Sequence, residues 1–194
     1  MRTSDQTNRM FCDSLLKHTG LDGKTILDIG CGNGSLVKYI ASHYQPNYVT
    51  GIEPKLSEWG VNEERGINYS IVQGNAHNLS FEDNSFDLIV TYSTFEHILD
   101  IEKALVEIKR VLRPYGMFYT EFMPIWTSVI GHHFIDEFSG YWDYNNLLLI
   151  PPYSHLYMSR QQMHDCLYLN SDNHEIIEKI ITHIYESEDR KSVV

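Results

Sequence analysis

The sequence predicts an α/β protein built on a mostly parallel sheet with helices on both faces, and three observations carry that reading. From residue 24 to 124, short apolar runs alternate with amphipathic stretches, the order that β-α units on a parallel sheet require. FDLIVTY (86–92) is almost continuously apolar, as a central strand buried on both faces must be. ILDIGCGNG (26–34) runs from a strand straight into a glycine-rich turn and on into a helix.

KTILDIG (24–30) is the first strand. LVKYIASHY (36–44) follows as a helix with Leu36, Val37, Ile40, Ala41 and Tyr44 on one face. NYVTGIE (47–53) is the second strand, residues 55–65 a helix, and INYSIVQG (67–74) the third strand. After the fourth strand, 86–92, Ile101, Leu105, Ile108 and Leu112 recur at helical spacing and stop before Pro114. In PYG (114–116) a type I turn is expected, because a type II turn would need φ > 0 at Tyr115. GMFYTEFMP (116–124) is the fifth strand.

Residues 125–157 are aromatic and His-rich without a period and read as a long ordered loop or lid. Two helices are expected in 158–194. Ser159-x-x-Gln162 and Asp172-x-x-Glu175 both fit a capping box, and Ile176, Ile177, Ile180, Ile181, Ile184 and Tyr185 give the last helix one apolar face. A chain of 194 residues suits one domain, 1–194, with a core at 8–124, the lid at 125–157 and the helices at 158–194.

Composition excludes several classes of function. With 15 Lys+Arg against 26 Asp+Glu the net charge is -11, which opposes a grip on phosphate backbones, so no nucleic-acid partner is expected. No apolar run approaches the roughly 20 residues of a bilayer span, so no membrane partner is expected, and MRTSDQTNRMF is too polar for a signal peptide. Cys12, Cys31 and Cys166 lack C-x-x-C spacing, which favours a reducing, cytoplasmic setting over a disulfide framework. Many of the 10 His and 13 Tyr fall after residue 115.

The chemistry starts at the glycines. Gly30, Gly32 and Gly34 allow φ > 0 and close approach to a ligand, and the helix starting near Ser35 adds unpaired N–H groups. A dinucleotide fingerprint needs a third glycine where Ser35 stands, so a nicotinamide oxidoreductase is disfavoured. Glu53, ending the second strand, can accept hydrogen bonds from both hydroxyls of a ribose.

ILDIGCGNG, then GIEP, then QGNAHNLSFEDNSFDLIVTYSTFEHI, then EIKRVLRPYG fall in order, and with them residues 8–124 resemble the class I S-adenosylmethionine-dependent methyltransferases, of the small-molecule type called the methyltransferase domain 11 group. The resemblance implies a Rossmann-like sheet and S-adenosyl-L-methionine as cofactor. It places Asp28 and the backbone of Gly30, Cys31 and Gly32 at the methionine part, Glu53 at the ribose, and Pro54 and Lys55 beside the adenine. Asn75 and Ala76 would meet the adenine edge; many relatives carry Asp at the first position, and an amide still offers a donor and an acceptor. Tyr92 and Ser93 would line the methyl donor. From the residues alone, Asp28 has a plainer alternative reading, a carboxylate that orders the turn by accepting backbone N–H groups.

The implied reaction is methyl transfer to a hydroxyl or amine of a small-molecule acceptor such as a sugar or secondary metabolite. Its demands are alignment and, for an oxygen acceptor, removal of a proton. Candidate catalytic residues are His97 after the fourth strand, Glu121 on the fifth, and His132 and His133 in the lid, with His155 a further acceptor contact. Each has a plainer role open to it: a loop contact for His97, a solvent-facing strand position for Glu121, loop packing for the rest. His132, His133, Asp136 and Glu137 contain metal-ligand types, but adjacent histidines diverge, and no metal is expected. Trp126, Phe134, Tyr141, Trp142, Tyr144 and Tyr153 would wall an acceptor pocket or form a satellite core. IPPY (150–153) follows the fifth strand rather than the fourth and lacks a leading polar residue, so it is not the motif of base and amide nitrogen methylation.

Relatives commonly finish with a sixth and seventh strand, and no convincing pair follows residue 157. That leaves a second reading: an interaction or regulatory protein that keeps the cofactor site with transfer reduced, its sheet completed by a partner, and the Ile176–Tyr185 face a homodimer surface.

Overall fold

Six strands form one sheet in the order β3-β4-β2-β1-β5-β6. They are β1 (Thr25–Ile29), β2 (Tyr48–Glu53), β3 (Glu64–Arg65), β4 (Tyr69–Gln73), β5 (Phe86–Tyr92) and β6 (Leu112–Glu121). All neighbours pair in parallel except β3 with β4. The computed structural model of the chain describes residues 4–122, 131, 134–136, 141–142 and 149–186. These fall into two compact units, Met1–Phe122 and Met123–Val194.

In the first unit the sheet is covered on both faces. Helices α1 (Ser4–Leu15) and α2 (Ser35–His43) lay Phe11, Leu15, Val37 and Ile40 on Ile26, Val49, Leu88 and Val90. On the other face α3 (Ile101–Val111) lays Ala104, Ile108 and Val111 on Leu27, Ile29 and Ile89. Full burial of each large side chain contributes about 1.5–3 kcal/mol relative to exposure. The strand order reverses beside β1, where β2 lies on one side and β5 on the other; in open α/β sheets ligands bind outside the carboxyl ends at that switch.

The expected strands are present, with four differences of detail in this unit. α1 was not foreseen, although Asn8, Phe11, Cys12 and Leu15 recur at helical spacing and are buried. Residues 55–65 do not form the expected helix. A 3₁₀ turn, Leu56–Trp59, ends on Gly60 at φ 68, and the chain then extends into β3. On α3 the buried stripe is Ala104, Ile108 and Val111, leaving Ile101 and Leu105 42% and 41% exposed. The small Ala104 side chain sets the phase, since it lets the helix axis approach the sheet. Finally, Tyr115 stands at φ 65, so the expected type I turn with negative φ at Tyr115 is not formed. The pairing of β5 with β6 shifts register between Phe86 and Leu88, and residues 113–116 are taken up in that bulge.

The second unit holds the short antiparallel pair β7 (Ile135–Asp136) and β8 (Tyr141–Trp142), then α4 (Ser154–Tyr157), α5 (Arg160–Asn170) and α6 (His174–Tyr185). The capping box at Ser159 is formed: its Oγ accepts the Gln162 N–H at 3.3 Å and Gln162 Oε1 accepts the Ser159 N–H at 2.8 Å. The second box is not. Asn173, not Asp172, caps α6 by accepting the Ile176 N–H at 3.2 Å. Ile177, Ile180, Ile181 and Ile184 are buried with Met163, Leu167 and Ile150, so the face expected to meet a second copy is already covered within this unit.

Candidate functional site

Asp28, Glu53 and Tyr92 lie toward the carboxyl ends of β1, β2 and β5, and Asn75 follows β4; Asp28 and Tyr92 share one cavity, while Asn75 lines another. The turn after β1 has Gly30, Gly32 and Gly34 all at positive φ. At two of them the close approach is to the protein itself. A Cβ on Gly30 would stand 2.2 Å from Thr94 Cγ2, and one on Gly34 would stand 2.0 Å from Ile71 Cδ1. The Gly30 and Cys31 N–H groups both donate to the Ile52 carbonyl, at 2.8 and 3.0 Å, and the Gly32 N–H donates to Glu53 Oε2 at 3.2 Å. The turn is thus held by its own hydrogen bonds, and these three N–H groups are engaged rather than presented to an anion.

Asp28 is the exception to that self-sufficiency. It is 2% exposed, and among the described residues its carboxylate has no hydrogen-bond partner. It therefore does not order the turn. Burial, and secondarily the nearby Glu53 carboxylate, push its pKa up to about 7. Asp28 lines a cavity of about 230 Å³ together with Gly30, Cys31 and Tyr92, and with Asn8 and Thr7 of α1. A buried carboxylate without a partner that borders a cavity is a site for a cationic donor, such as an ammonium group.

Glu53 holds the Gly32 N–H with one oxygen and the Lys55 N–H, at 3.2 Å, with the other. Each carboxylate oxygen has a second lone pair, so two ribose hydroxyls can still be accepted. Pro54 and Lys55 line a separate cavity of about 360 Å³ with Gln73, whose Nε2 donates to the Pro54 carbonyl at 3.0 Å. Asn75 is exposed, with Oδ1 accepting the His77 N–H at 2.9 Å; Ala76 beside it is buried. Cys31 is a buried thiol whose pKa is pushed up by burial and by Asp28 and Glu53, which leaves it neutral and unreactive.

Tyr92 packs its ring 5.0 Å from Phe11, and Ser93, at φ 50, donates its N–H to the Glu121 carbonyl at 2.8 Å. Glu121 is the register partner of Tyr92, and its carboxylate accepts the Tyr119 hydroxyl. Ser14 Oγ of α1 lies 3.0 Å from the same phenol oxygen. Burial first, then the bond to Glu121, raises the Tyr119 pKa, which keeps the phenol a donor. His97 is exposed at the end of the 3₁₀ turn Phe95–His97. His132 and His133 lie outside the described residues, and His155 is buried in α4. Among the described residues no group of three or more His, Cys, Asp or Glu side chains is placed to hold a metal.

Two contributors escaped the sequence reading. Asn8 reaches the Asp28 cavity from α1, a helix visible in the periodicity of residues 8–15. Trp59 places its indole 3.4 Å from where a Gly32 Cβ would be, and only the turn-forming Gly60 behind it hints at that geometry.

The methyltransferase domain family matches residues 27–120. The chain is 33% identical over 131 residues to the fatty-acid O-methyltransferase of Mycolicibacterium smegmatis, covering 62% of this chain and 46% of that protein. It is 30% identical over 132 residues to phthiotriol/phenolphthiotriol dimycocerosates methyltransferase 1 of Mycobacterium ulcerans, covering 64% and 48%. The chain thus spans about half the length of these relatives. A solved structure from Methanococcus maripaludis, described as a candidate S-adenosyl-L-methionine-dependent methyltransferase, superposes with a TM-score of 0.52 at 24% identity, over 62% of this chain and 57% of that one, and so shares the fold.

Proposed function

The chain belongs to the class I S-adenosylmethionine-dependent methyltransferases, and from that premise we propose that it transfers a methyl group from S-adenosyl-L-methionine to an oxygen of a small, largely apolar acceptor. The observation that carries the cofactor half is Asp28: a buried carboxylate with no partner among the described residues, bordering a cavity beside an acid-held glycine turn. That arrangement suits a ligand carrying an ammonium group and disfavours a pyrophosphate. Asp28 would take the ammonium of the methionine part, Glu53 the ribose hydroxyls, Pro54 and Asn75 the adenine, and Tyr92 and Ser93 would border the methyl donor.

When bound, the cofactor supplies a methyl group on a sulfonium, whose leaving group is already good. What remains for the chain is alignment and a proton acceptor. Glu121 stands opposite Tyr92 at the carboxyl end of β6, oriented by the Tyr119 hydroxyl, and receives the acceptor's proton as its oxygen bonds to the methyl carbon. The oxygen acceptor draws support from the name of the Mycolicibacterium smegmatis relative; the apolar body draws it from both mycobacterial names. A sugar or amine acceptor has no comparable support.

Calorimetry with S-adenosylmethionine and S-adenosylhomocysteine tests the cofactor half, and absence of heat at millimolar ligand would end the proposal. Glu121→Gln tests the base. It should lower kcat toward a fatty-acid acceptor by about a hundredfold or more and leave cofactor affinity as it was; unchanged kcat assigns proton removal elsewhere.

A further inference from the structure

One row of side chains crosses the α3 face of the sheet from β6 to β3: Phe118, Ile89, Leu27, Thr50, Ser70 and Arg65 are successive register partners. Under α3 the row is apolar. Beyond it, at β2, β4 and β3, it turns polar, and there a cavity of about 480 Å³ opens, larger than the one beside Asp28. Its floor continues through Ile52 and Val72, and its wall is formed by Leu79 and Phe81 from the loop that leads to β5.

The polar residues are not a solvated edge. Thr50 and Ser70 are 7% and 5% exposed, and neither hydroxyl has a hydrogen-bond partner among the described residues. Both residues line the cavity, so their hydroxyls are available to a partner that enters it. Arg65 adds a charge to the same lining. Arg9, Arg110, Arg113 and Arg160 each have a carboxylate within ion-pair distance, whereas Arg65 has none among the described residues, in a chain of net charge -11. Lys17, Lys24, Lys103 and Lys109 also lack a carboxylate partner among the described residues, but Arg65 is the one described arginine without one, and it borders a cavity of about 480 Å³.

We propose that this cavity, which meets the adenine side of the cofactor site at Gln73 and Asn75 but does not include the cavity beside Asp28, is a second ligand site for a small organic monocarboxylate with an apolar body. The guanidinium receives the carboxylate in a two-point hydrogen-bonded pair, the Thr50 and Ser70 hydroxyls donate to it, and the body lies on Ile52, Val72, Leu79 and Phe81. Glu63 also lines the cavity, its carboxylate accepting the Gln73 N–H at 3.1 Å, and this second negative charge selects a monoanion over a phosphate dianion. The volume lies within the range of small-molecule sites.

The test is an amide chemical-shift titration of the full chain with sodium benzoate, and with benzylamine and inorganic phosphate in parallel. Benzoate should shift the amides of Thr50, Arg65, Ser70 and Val72 saturably, while benzylamine and phosphate leave them in place. R65Q should weaken benzoate about tenfold or more, since the two-point pair and its positive charge are lost. T50V, which keeps the volume, should weaken it severalfold. Arg65 is exposed, so R65Q retains the fold, and its own spectrum verifies this. The proposal is overturned if shifts centre on residues 28–36 and 92–93, if phosphate binds as well as benzoate, if R65Q titrates like the parent, or if no saturable shift is seen at millimolar benzoate.

Discussion

Asp28 and Asp87 stand on the neighbouring strands β1 and β5, at opposite ends of the sheet, and their surroundings have opposite consequences. Burial alone would raise the Asp87 pKa, but the Thr25 N–H and the Arg113 guanidinium, both 2.8 Å away, outweigh it and hold the carboxyl below its usual range. The whole amino-end rim is built this way. Arg110 donates to Glu107 and to the Leu79 and Phe81 carbonyls, and Glu107, drawn down to about 2 by Arg110 and the Leu79 N–H, ties α3 to the loop before β5. At the carboxyl-end rim Asp28 has burial without a partner and is pushed up to about 7. Satisfied carboxylates mark the scaffold here. Asp28 and the Glu96 Oε2 atom, buried after the carboxyl end of β5, instead have no hydrogen-bond partner among the described residues, and of the two Asp28 borders the cavity.

The largest expected effect breaks this contrast at Asp28. Its folded pKa lies above the unfolded value, so the folded state binds the extra proton between about pH 4 and 7, and stability falls as pH rises through that window. Asp28→Asn should remove that slope and raise the stability of the ligand-free protein above pH 7 by at most about 4 kcal/mol. The same substitution should weaken S-adenosylhomocysteine by about 10- to 100-fold. Urea melts at pH 5 and pH 8, with calorimetry at both, measure the pair of effects. If Asp28→Asn leaves the pH slope intact, the buried carboxylate is not its source.

Asp87→Asn is the smaller, opposite case. With a depressed folded pKa, Asp87 contributes stability that is present above about pH 4 and lost as pH falls through the folded value. The amide still accepts the Thr25 N–H but loses the ion pair with Arg113, so a loss of about 1 kcal/mol at pH 7 is expected. Cofactor affinity should stay within twofold of the parent, about 0.4 kcal/mol. Together the two aspartates put the stability maximum of the ligand-free protein on the acid side of neutrality. A large affinity loss in Asp87→Asn would show that the two rims are not independent.

How much of this was legible in the sequence depends on which force decides each element. ILDIGCGNG and FDLIVTY were readable because an apolar run followed by glycines, or buried on both faces, admits few alternatives, and the Ser159 box was readable because both partners lie within one turn. Residues 55–65 were misread because Gly60 takes a left-handed conformation and the chain beyond it pairs with β4, a long-range choice with no local periodicity. The α3 stripe was displaced for a similar reason: Ala104 counts little in a hydrophobicity pattern yet decides how closely the helix packs. Asp28 was named as a site residue from its motif, but its lack of a partner is a property of three dimensions. The row from Phe118 to Arg65 belongs to strand register and could not be read along the chain.

The smallest expected effect lies at the turn that the sequence misjudged, on the satisfied side of the comparison. Tyr115 adopts φ 65 and is fully exposed, so its side chain contributes no packing while its Cβ meets the steric cost of the left-handed region. Tyr115→Gly relieves that cost but frees the unfolded chain, and the two terms nearly cancel. A rise in Tm of about 2 °C is expected. The neighbouring Gly116→Ala should lower Tm instead, since its Cβ would stand 2.8 Å from Leu112 Cδ1 and 2.9 Å from the Arg113 carbonyl oxygen. Both variants should keep the parent's affinity for S-adenosylhomocysteine, because the turn belongs to the rim whose bonds are complete. A drop in Tm for Tyr115→Gly equal to that for Gly116→Ala would mean that the tyrosine stabilises the bulge through a contact its full exposure denies.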